Sequence, residues 1–447
     1  MAVLKLTNPL IKIMRKKYLF LLLGIISLEG FAQAPKPETI PVVPTLPAKE
    51  WDFNFYGFIR TDYIFDTRKS AQVREDNLNL YPLDKVLDVN GEDLNDAGSS
   101  NILSVVSRVG VKVKGPDVWG AKMTGTLEGD FFGNTEASIG LVRLRQAHVN
   151  MEWSKTSLLV GQTWYPTFIP EIFPAVANFN TGIMFNPFGW ASQIKVKQNF
   201  TKELSFAVTI YKEREFTTAT AVGGTQNSAS INSPLPTFHG QFQFKNTNWL
   251  AGLGVEYKSL QPLTEYAPTS TTKAKTSEKV NSTSIVGFLK YSNDKFSIKA
   301  YGITGGNMTN LVMLGGFVGY TNPLQPEKYE ATKTSSFWID LASNGKKIAP
   351  GLFVGYTNNE GNGRNGLVTG ETVKYYMRGV SGSRVVDNVW RASGRVEFKH
   401  NKFKVTPELE YTAATWGDLN VNASGKAGLN KTDVANLRAL LSCAYSF

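Results

Sequence analysis

The end of the chain shows the clearest alternation of hydrophobic and polar positions. Between Val434 and Phe447, every second residue counted back from Phe447 lies on one face of an extended strand, and this face is apolar and aromatic. The intervening positions, which include Asn436, Arg438 and Ser442, are mostly small or polar. A terminal aromatic residue on an apolar stripe is typical of the last strand of a transmembrane β-barrel, which faces lipid and closes on the first strand. The last strand of a soluble β-sandwich is the alternative.

The same two-residue period recurs along the chain from Trp51. The first segment, Trp51 to Asp66, places apolar residues such as Phe55 and Tyr63 on one face and polar residues such as Asp62 on the other. Further segments bring the total to about sixteen strands, and bacterial single-chain barrels have an even number. We therefore predict an all-β fold, a transmembrane antiparallel up-and-down β-barrel. The other predicted strands are 101–114, 118–131, 139–153, 156–165, 190–198, 203–212, 237–245, 249–260, 282–292, 296–305, 335–342, 347–357, 388–399, 403–415 and 434–447.

The connections between the predicted strands alternate in length. A short connection such as Ser154-Lys155 is followed by a long loop, and each long loop by another short turn. A transmembrane barrel has this asymmetry, with short periplasmic turns at one rim and long extracellular loops at the other. The strand ends at the short turns carry aromatic residues, which predicts an interfacial girdle there. These residues are Trp51, Trp119, Trp153, Phe244, Trp249, Tyr291, Phe296, Phe398, Phe403 and Phe447.

Three of the long connections need separate comment. The loop from Pro166 to Gly189 carries a single charge, Glu171, although a loop exposed to water is normally more polar. We expect this loop to fold into the pore as a constriction, and burial against a neighbouring subunit is the alternative. Segments 307–334 and 358–387 are each long enough to contain an additional pair of strands.

The N-terminus has the organisation of a secretory signal. Basic residues 15–17 precede an apolar run at 18–26, and small residues follow at a cleavage position after Ala32 or Ala34. A single membrane anchor is the alternative, but the apolar run is short for a membrane span. Because signal n-regions are short, Met14 competes with the first methionine as the start of translation.

These features divide the chain into three parts. We predict a signal peptide at 1–32, a proline-rich periplasmic linker at 33–50 and a transmembrane barrel domain at 51–447. The predicted location is the bacterial cell outer membrane, and outer-membrane lipid is a predicted partner.

Composition narrows the classes of function. The chain has 447 residues, of which 42% are hydrophobic, so it is not a disordered chain. Its net charge is +11, but the basic residues are dispersed, and we predict no nucleic-acid partner. Cys443 is the single cysteine, so no disulfide framework is possible. The histidines, His148, His239 and His400, lie far apart in sequence, and we predict no metal site and no cofactor.

With the apolar stripes facing lipid, the opposite faces line a water-filled lumen. Basic residues on the first, second, fourth, fourteenth and sixteenth predicted strands then lie on one wall, because the last strand pairs with the first. Arginine stays charged and binds carboxylate or phosphate bidentately, so this wall predicts an anion path. The alternative is that lumenal charges only brace and solvate the barrel. The predicted anion path consists of Arg60, Arg108, Lys112, Arg143, Arg145, Arg391, Arg395 and Arg438.

Two details qualify that wall. The side-chain alternation slips between Arg145 and Asn150, as at a β-bulge, so the orientation of the fourth strand is ambiguous. Acidic residues also fall on inward positions. They are Glu128, Asp130, Glu408 and Glu410.

The predicted function is passive diffusion of small, anionic solutes through this barrel. The chain is not predicted to be an enzyme, since no G-x-S-x-G occurs and the histidines have no partner at motif spacing. A soluble secreted binding protein conflicts with the aromatic girdle and the terminal strand. A barrel adhesin or receptor that uses its long extracellular loops is the alternative function.

Three segments resemble the DcaP-like outer-membrane porins. The first strand at 55–68 is similar to their opening strand, Arg143 to Val149 to their R-L-R-x-A-x-V strand, and Leu159 to Trp164 to their G-Q-x-W strand. Phosphate-selective porins share the latter two elements. The resemblance implies a homotrimer of sixteen-stranded channels that pass small anions such as dicarboxylates or phosphate-like solutes. It also implies that Arg60, Arg143 and Arg145 point at the solute path. DcaP-type proteins can carry a helical extension before the barrel, where this chain has only the proline-rich linker.

Overall fold

We analysed the protein as a computed structural model, which describes residues 51–447. The predicted signal peptide and proline-rich linker lie outside the described residues. No helix within 51–447 is long and apolar enough to cross a membrane.

Sixteen antiparallel strands close into a barrel in the described part of the chain. Each barrel strand pairs with its neighbours in the barrel order, and the last strand, β25 (Thr432–Ser446), pairs with the first, β1 (Asp52–Asp66). The second barrel strand is divided into β4 (Ser99–Leu103) and β5 (Arg108–Lys114), which pair with successive halves of β1. The barrel strands are β1 (Asp52–Asp66), β4 (Ser99–Leu103) with β5 (Arg108–Lys114), β6 (Lys122–Asp130), β7 (Arg143–Glu152), β8 (Thr156–Trp164), β9 (Trp190–Asn199), β10 (Leu204–Glu213), β11 (Thr237–Lys245), β12 (Trp249–Leu260), β15 (Val280–Ser292), β16 (Phe296–Gly306), β19 (Lys333–Ser343), β20 (Ile348–Gly361), β23 (Arg384–His400), β24 (Phe403–Asp418) and β25 (Thr432–Ser446).

The predicted alternation of faces is confirmed. On β25, Leu437 and Leu441 are exposed on the outer wall, whereas Asn436, Arg438 and Ser442 are buried on the inner side. A continuous apolar outer surface with a polar interior is the arrangement that a lipid bilayer requires of a barrel.

The terminal aromatic residue closes the seam between the last and first strands. The Phe447 backbone N–H donates to the Gly57 carbonyl, with an N···O distance of 3.1 Å. The Phe447 ring lies so close to Gly57 that a Cβ added there would be 2.7 Å from the ring Cζ. Only glycine permits this approach, so the aromatic terminus and the glycine form one structural unit.

One rim of the barrel consists of short connections, as predicted. These connections join β7 to β8, β9 to β10, β11 to β12, β15 to β16, β19 to β20 and β23 to β24. Aromatic residues of the predicted girdle surround this rim, and the Trp249, Tyr291 and Phe296 rings contact one another in sequence. The turn between β5 and β6 is longer than predicted, because Trp119 adopts a left-handed backbone conformation and β6 begins at Lys122.

The long loops carry their own secondary structure. Segment 307–334 contains an additional strand pair, as predicted, formed by β17 (Gly315–Thr321) and β18 (Lys328–Ala331). Segment 358–387 contributes β21 (Thr372–Arg378), which pairs with β17 and completes a separate three-stranded sheet. The other loop elements are β2 (Ser70–Val73), β3 (Leu78–Pro82), β13 (Glu265–Thr269), β14 (Thr272–Lys275), β22 (Val380–Ser381), α1 (Ser228–Asn232) and the 3₁₀ turns Glu136–Ser138 and Thr309–Leu311.

Part of the lumen is filled by an apolar core. The core combines residues of the 166–189 loop, such as Phe185, with loop residues such as Leu80 and Met313 and with inward wall residues such as Trp338 and Trp416. Apolar loop surface is thereby removed from water. The structure places the 166–189 loop inside the barrel, which is the first of the two arrangements that its composition predicted.

Candidate functional site: the barrel lumen

Two arginines of β7 lie in a buried charge network. The Arg143 guanidinium donates to both carboxylate oxygens of Asp130 at 2.9 and 2.8 Å, and to Glu215 at 2.8 Å. Arg145 donates to Glu128 at 2.7 Å and to Asp130 at 2.9 Å. Both arginines are 1% exposed. These bidentate, charge-assisted contacts hold the two guanidinium groups against the wall.

Strand β7 contains an irregularity next to these arginines. The pairing of β6 with β7 shifts register between Glu128 and Gly129, so that Leu144 pairs with Gly129 while Gln146 pairs with Glu128. Arg145 is the extra residue at this position, and the predicted slip of alternation is confirmed as a bulge. Arg143 and Arg145 face inward on either side of the exposed Leu144, and after the bulge the phase changes, so that Val149 is exposed as well.

Glu215 belongs to this network from the loop that follows β10. Burial raises the pKa of the Glu215 carboxyl, and the neighbouring Arg143 guanidinium opposes that shift. The carboxylate consequently depends on Arg143 for its compensation.

A second set of arginines lies on β23 and β25. The Arg438 guanidinium donates to both oxygens of Asp66 at 2.9 and 2.7 Å, across the seam of the barrel. A nitrogen of Arg395 lies 2.8 Å from Asp340, and a nitrogen of Arg391 lies 3.4 Å from Glu410. These arginines are also buried. They are thus compensated by carboxylates of other strands: Asp66 and Glu410 lie on the adjacent strand, and Asp340 lies two strands away, on β19.

Arg60, Arg108 and Lys112 lie on β1 and β5 and are less enclosed. Arg60 bonds Asp62 at 2.8 and 2.9 Å, and Arg108 lies 3.8 Å from Glu128. The Lys112 ammonium lies 5.3 Å from the centroid of the Tyr56 ring. The strands that carry the predicted basic residues, β23, β25, β1, β5 and β7, fall within one continuous part of the sheet, from β23 through β25 and β1 to β7. Most of the arginines are paired with carboxylates, whereas Lys112 has a ring contact and no ion pair within residues 51–447.

The 166–189 loop is fixed to this wall at several points. Arg60 donates to the Ala177 carbonyl, and Glu408 accepts hydrogen bonds from the backbone N–H groups of Ala177 and Asn178. Arg391 donates to the Ile183 carbonyl at 2.6 Å. Several of the predicted anion-path residues thus position the loop that narrows the lumen.

Sequence analysis missed a group of lysines near the short-turn rim. Lys195 and Lys197 occupy inward positions of β9, since Ile194 and Val196 are exposed on the opposite face. On β15, four strands further along the sheet, Lys290 donates to the Glu171 carbonyl at 3.2 Å. Lys299 and Lys245 belong to the same group, the former donating to the Phe173 carbonyl and the latter lying 3.7 Å from the Glu171 carboxylate.

The two lysines of β9 differ from the arginines in one respect. Within residues 51–447, neither Lys195 nor Lys197 has a hydrogen bond or an ion pair, whereas the arginines at mid-depth are compensated. Unpaired ammonium groups in a partly aqueous lumen are free to attract an anion. The alternation of apolar and polar residues along β9 indicates the inward positions of both lysines.

The closed barrel, its apolar outer wall and its charged lumen define the class of an outer-membrane porin, a channel rather than an enzyme. The sequence profile of the DcaP outer membrane protein family matches residues 39–312. That match covers more than half of the chain, and the protein belongs to this family. The resemblance of the first, fourth and fifth strands is thereby confirmed.

Solved structures show the same fold. The outer membrane channel DcaP of Acinetobacter baumannii superposes with a TM-score of 0.61 at 15% identity, covering 91% of this chain and 100% of that chain. An anion-selective porin from Comamonas acidovorans gives a TM-score of 0.51 at 12% identity, covering 89% and 100% of the two chains. OmpT of Vibrio cholerae gives 0.50 at 13% identity, with 90% and 99% covered. No curated protein sequence matches this chain.

Proposed function

We propose that this porin passes small anions, of the dicarboxylate or phosphate-like kind, by passive diffusion across the outer membrane. The proposal rests on two lysines of the lumen, Lys195 and Lys197, which have no ion pair within residues 51–447. Lys112, on the first-to-second strand wall, adds a third ammonium without an ion pair in the described chain. Rings and walls of lysine and arginine favour anions in pores.

The predicted arginines act differently in this proposal. Arg143, Arg145, Arg391, Arg395 and Arg438 are compensated by carboxylates, so they contribute little uncompensated field to the lumen. Their main effect is to fix the wall and the loop that sets the bore. Arg60 and Arg108, which are more accessible, border the path of the solute.

Other parts of the chain fit delivery to the outer membrane. We infer that residues 1–32 are removed as a signal peptide, that 33–50 form a periplasmic linker and that 51–447 form the barrel domain. We also infer a homotrimer in the membrane, as the resemblance to the DcaP-like porins implies. N-terminal sequencing of the mature protein and light scattering of the purified detergent complex test these inferences.

The adhesin or receptor alternative has less support. Long loops of this barrel contribute buried residues such as Leu80, Phe185 and Met313 to the lumenal core instead of free surface. A binding surface for another cell needs exposed loop area.

Liposome swelling tests the proposed solute class. Vesicles that contain the protein are diluted into isotonic solutions of a dicarboxylate, a neutral sugar and a diamine of similar size. We expect the dicarboxylate to enter fastest. Equal rates for all three solutes, or fastest entry of the diamine, would contradict the proposal.

A further inference from the structure

A cavity beside the unpaired lysines has both a charged and an apolar side. It lies beneath the first part of the 166–189 loop, against the inward faces of β8 to β11, and its volume is about 190 Å³. Lys195, Lys197 and Gln243 provide the polar side, whereas Trp164, Phe168 and Ile169 provide the apolar side.

The aromatic side of the cavity is rigid. The Trp164 and Phe168 rings stack with centroids 3.9 Å apart and planes inclined by 13°. Trp190 supports Trp164 from behind at a centroid distance of 4.5 Å, and Arg145 lies over both indoles. The faces of Trp164 and Phe168 are covered by each other, by Trp190 and by Phe173, which leaves ring edges toward the cavity. Fixed ring edges carry partial positive charge and favour a ligand ring packed face-on to them, or a compact apolar body.

The charged side has one acidic neighbour. Glu171 is the single carboxylate among the cavity-lining residues described, and it lies 3.7 Å from Lys245. Within residues 51–447, neither Lys195 nor Lys197 forms a hydrogen bond or an ion pair with it or with any other group. Partial burial of an ammonium group that has no ion pair is unfavourable, because the charge loses hydration. An anion that binds in the cavity offsets this desolvation free energy.

The volume sets the size of the ligand. An engineered apolar cavity of about 150 Å³ binds benzene. The present cavity has a volume of about 190 Å³. The difference from the benzene-binding cavity leaves room for a carboxylate attached to such a ring.

From these observations, we propose that the cavity is a binding subsite for a monocarboxylate with a compact aromatic or apolar body. The carboxylate contacts the Lys195 and Lys197 ammonium groups, and the ring packs against Phe168 and Trp164. This inference rests on the anion preference of the proposed function. It adds an aromatic or apolar monocarboxylate to the solutes named there, since charge alone does not distinguish such a solute from acetate.

Block of chloride current in planar bilayers tests the subsite, with the full mature chain and added sodium benzoate, sodium acetate or benzamide. We expect benzoate to block with an apparent Kd about tenfold lower than acetate, equivalent to about 1.4 kcal/mol. Benzamide, which has the ring but no charge, should not block at the same concentrations. Equal block by benzoate and acetate, or no block by benzoate, overturns the subsite.

Variants assign the effect to the residues named. Lys195→Gln with Lys197→Gln should weaken benzoate block about tenfold, and Phe168→Leu should weaken benzoate but not acetate. Lys202→Gln, in the exposed turn after β9, is the matched control and should behave as wild type. Unchanged benzoate block in the double variant overturns the assignment, and the ranking of ligands on the wild type does not depend on any variant folding.

The same recordings separate this inference from the proposed function. If the wild-type channel prefers anions but does not distinguish benzoate from acetate, the subsite alone is wrong. If the wild-type channel prefers cations, the proposed function is wrong and the subsite loses its basis.

Discussion

Replacing Arg438 with methionine tests whether buried charge pairs hold the barrel closed. Arg438 on β25 lies opposite Asp66 on β1, and two hydrogen bonds of 2.9 and 2.7 Å join them across the seam. Asn436 adds a third bond to Asp66 at 2.6 Å. Methionine fills most of the volume of the arginine stem but leaves the Asp66 carboxylate, 3% exposed, without its cation.

The expected cost follows from the burial of the abandoned charge. Removing one partner of a buried ion pair costs about 3–5 kcal/mol, because the remaining charge stays desolvated. Converting Asp66 to asparagine in the same chain removes that charge. The double variant Asp66→Asn with Arg438→Met should therefore recover at least about 2 kcal/mol of the loss, measured as a coupling energy in a double-mutant cycle.

Urea unfolding in phospholipid vesicles, followed by tryptophan fluorescence, gives the free energies of unfolding for the four chains. Arg438→Met should lower the midpoint markedly, and the double variant should lie between it and the wild type. A loss below about 1 kcal/mol for Arg438→Met, typical of an exposed pair, would refute the reasoning. Additive single effects would also refute it.

Three further predictions concern the wall, the seam and the loop. Leu253→Lys, at a lipid-facing side chain that is 58% exposed, should cost about 2–4 kcal/mol near the bilayer midplane and lower the urea midpoint. Gly57→Ala should cost about 1–3 kcal/mol and reduce the heat-stable folded fraction on gels, because the new Cβ clashes with the Arg108 backbone carbonyl and lies 2.7 Å from the Phe447 ring. Glu408→Ala should loosen the loop at Ala177 and raise single-channel conductance, since a buried backbone N–H loses its acceptor.

Matched controls accompany each change. Leu87→Lys alters an equally exposed leucine in a long loop and should change stability by less than about 0.5 kcal/mol. Gly287→Ala adds a Cβ whose nearest neighbour is 3.9 Å away and should be tolerated. Glu397→Ala removes a carboxylate that pairs with Lys399 and Lys404 rather than with the loop, so conductance should not rise. If a control variant changes stability or conductance as much as its test variant does, the corresponding explanation is contradicted.

The barrel was predictable because each strand has one face toward lipid and the opposite face toward the lumen. Trp51 to Asp66 alternates between lipid and water over its whole length, and that period is readable without knowledge of any partner strand. The closing contact of Phe447 with Gly57 was not predictable in detail, since it depends on how the last strand is staggered against the first.

The lumenal charges were predictable in position but not in effect. The alternation of side chains along the last strand correctly placed Arg438 on the inner face. The break in that alternation near Arg145 correctly indicated a bulge. Whether a charge is free depends on cross-strand register, which sets Asp66 opposite Arg438. The inward positions of Lys195 and Lys197 follow from simple alternation on β9, so these two lysines were predictable from the sequence.

The central claim is that uncompensated lysines give the channel anion preference, and reversal potentials test it most directly. The mature protein is inserted in planar bilayers under a tenfold potassium chloride gradient, and the zero-current voltage is recorded for the wild type and for a chain with Lys112, Lys195 and Lys197 changed to glutamine. We predict a wild-type voltage of the sign given by chloride permeation and a shift toward zero in the triple variant. A wild-type voltage of the potassium sign, or one unchanged by the three substitutions, would contradict the account.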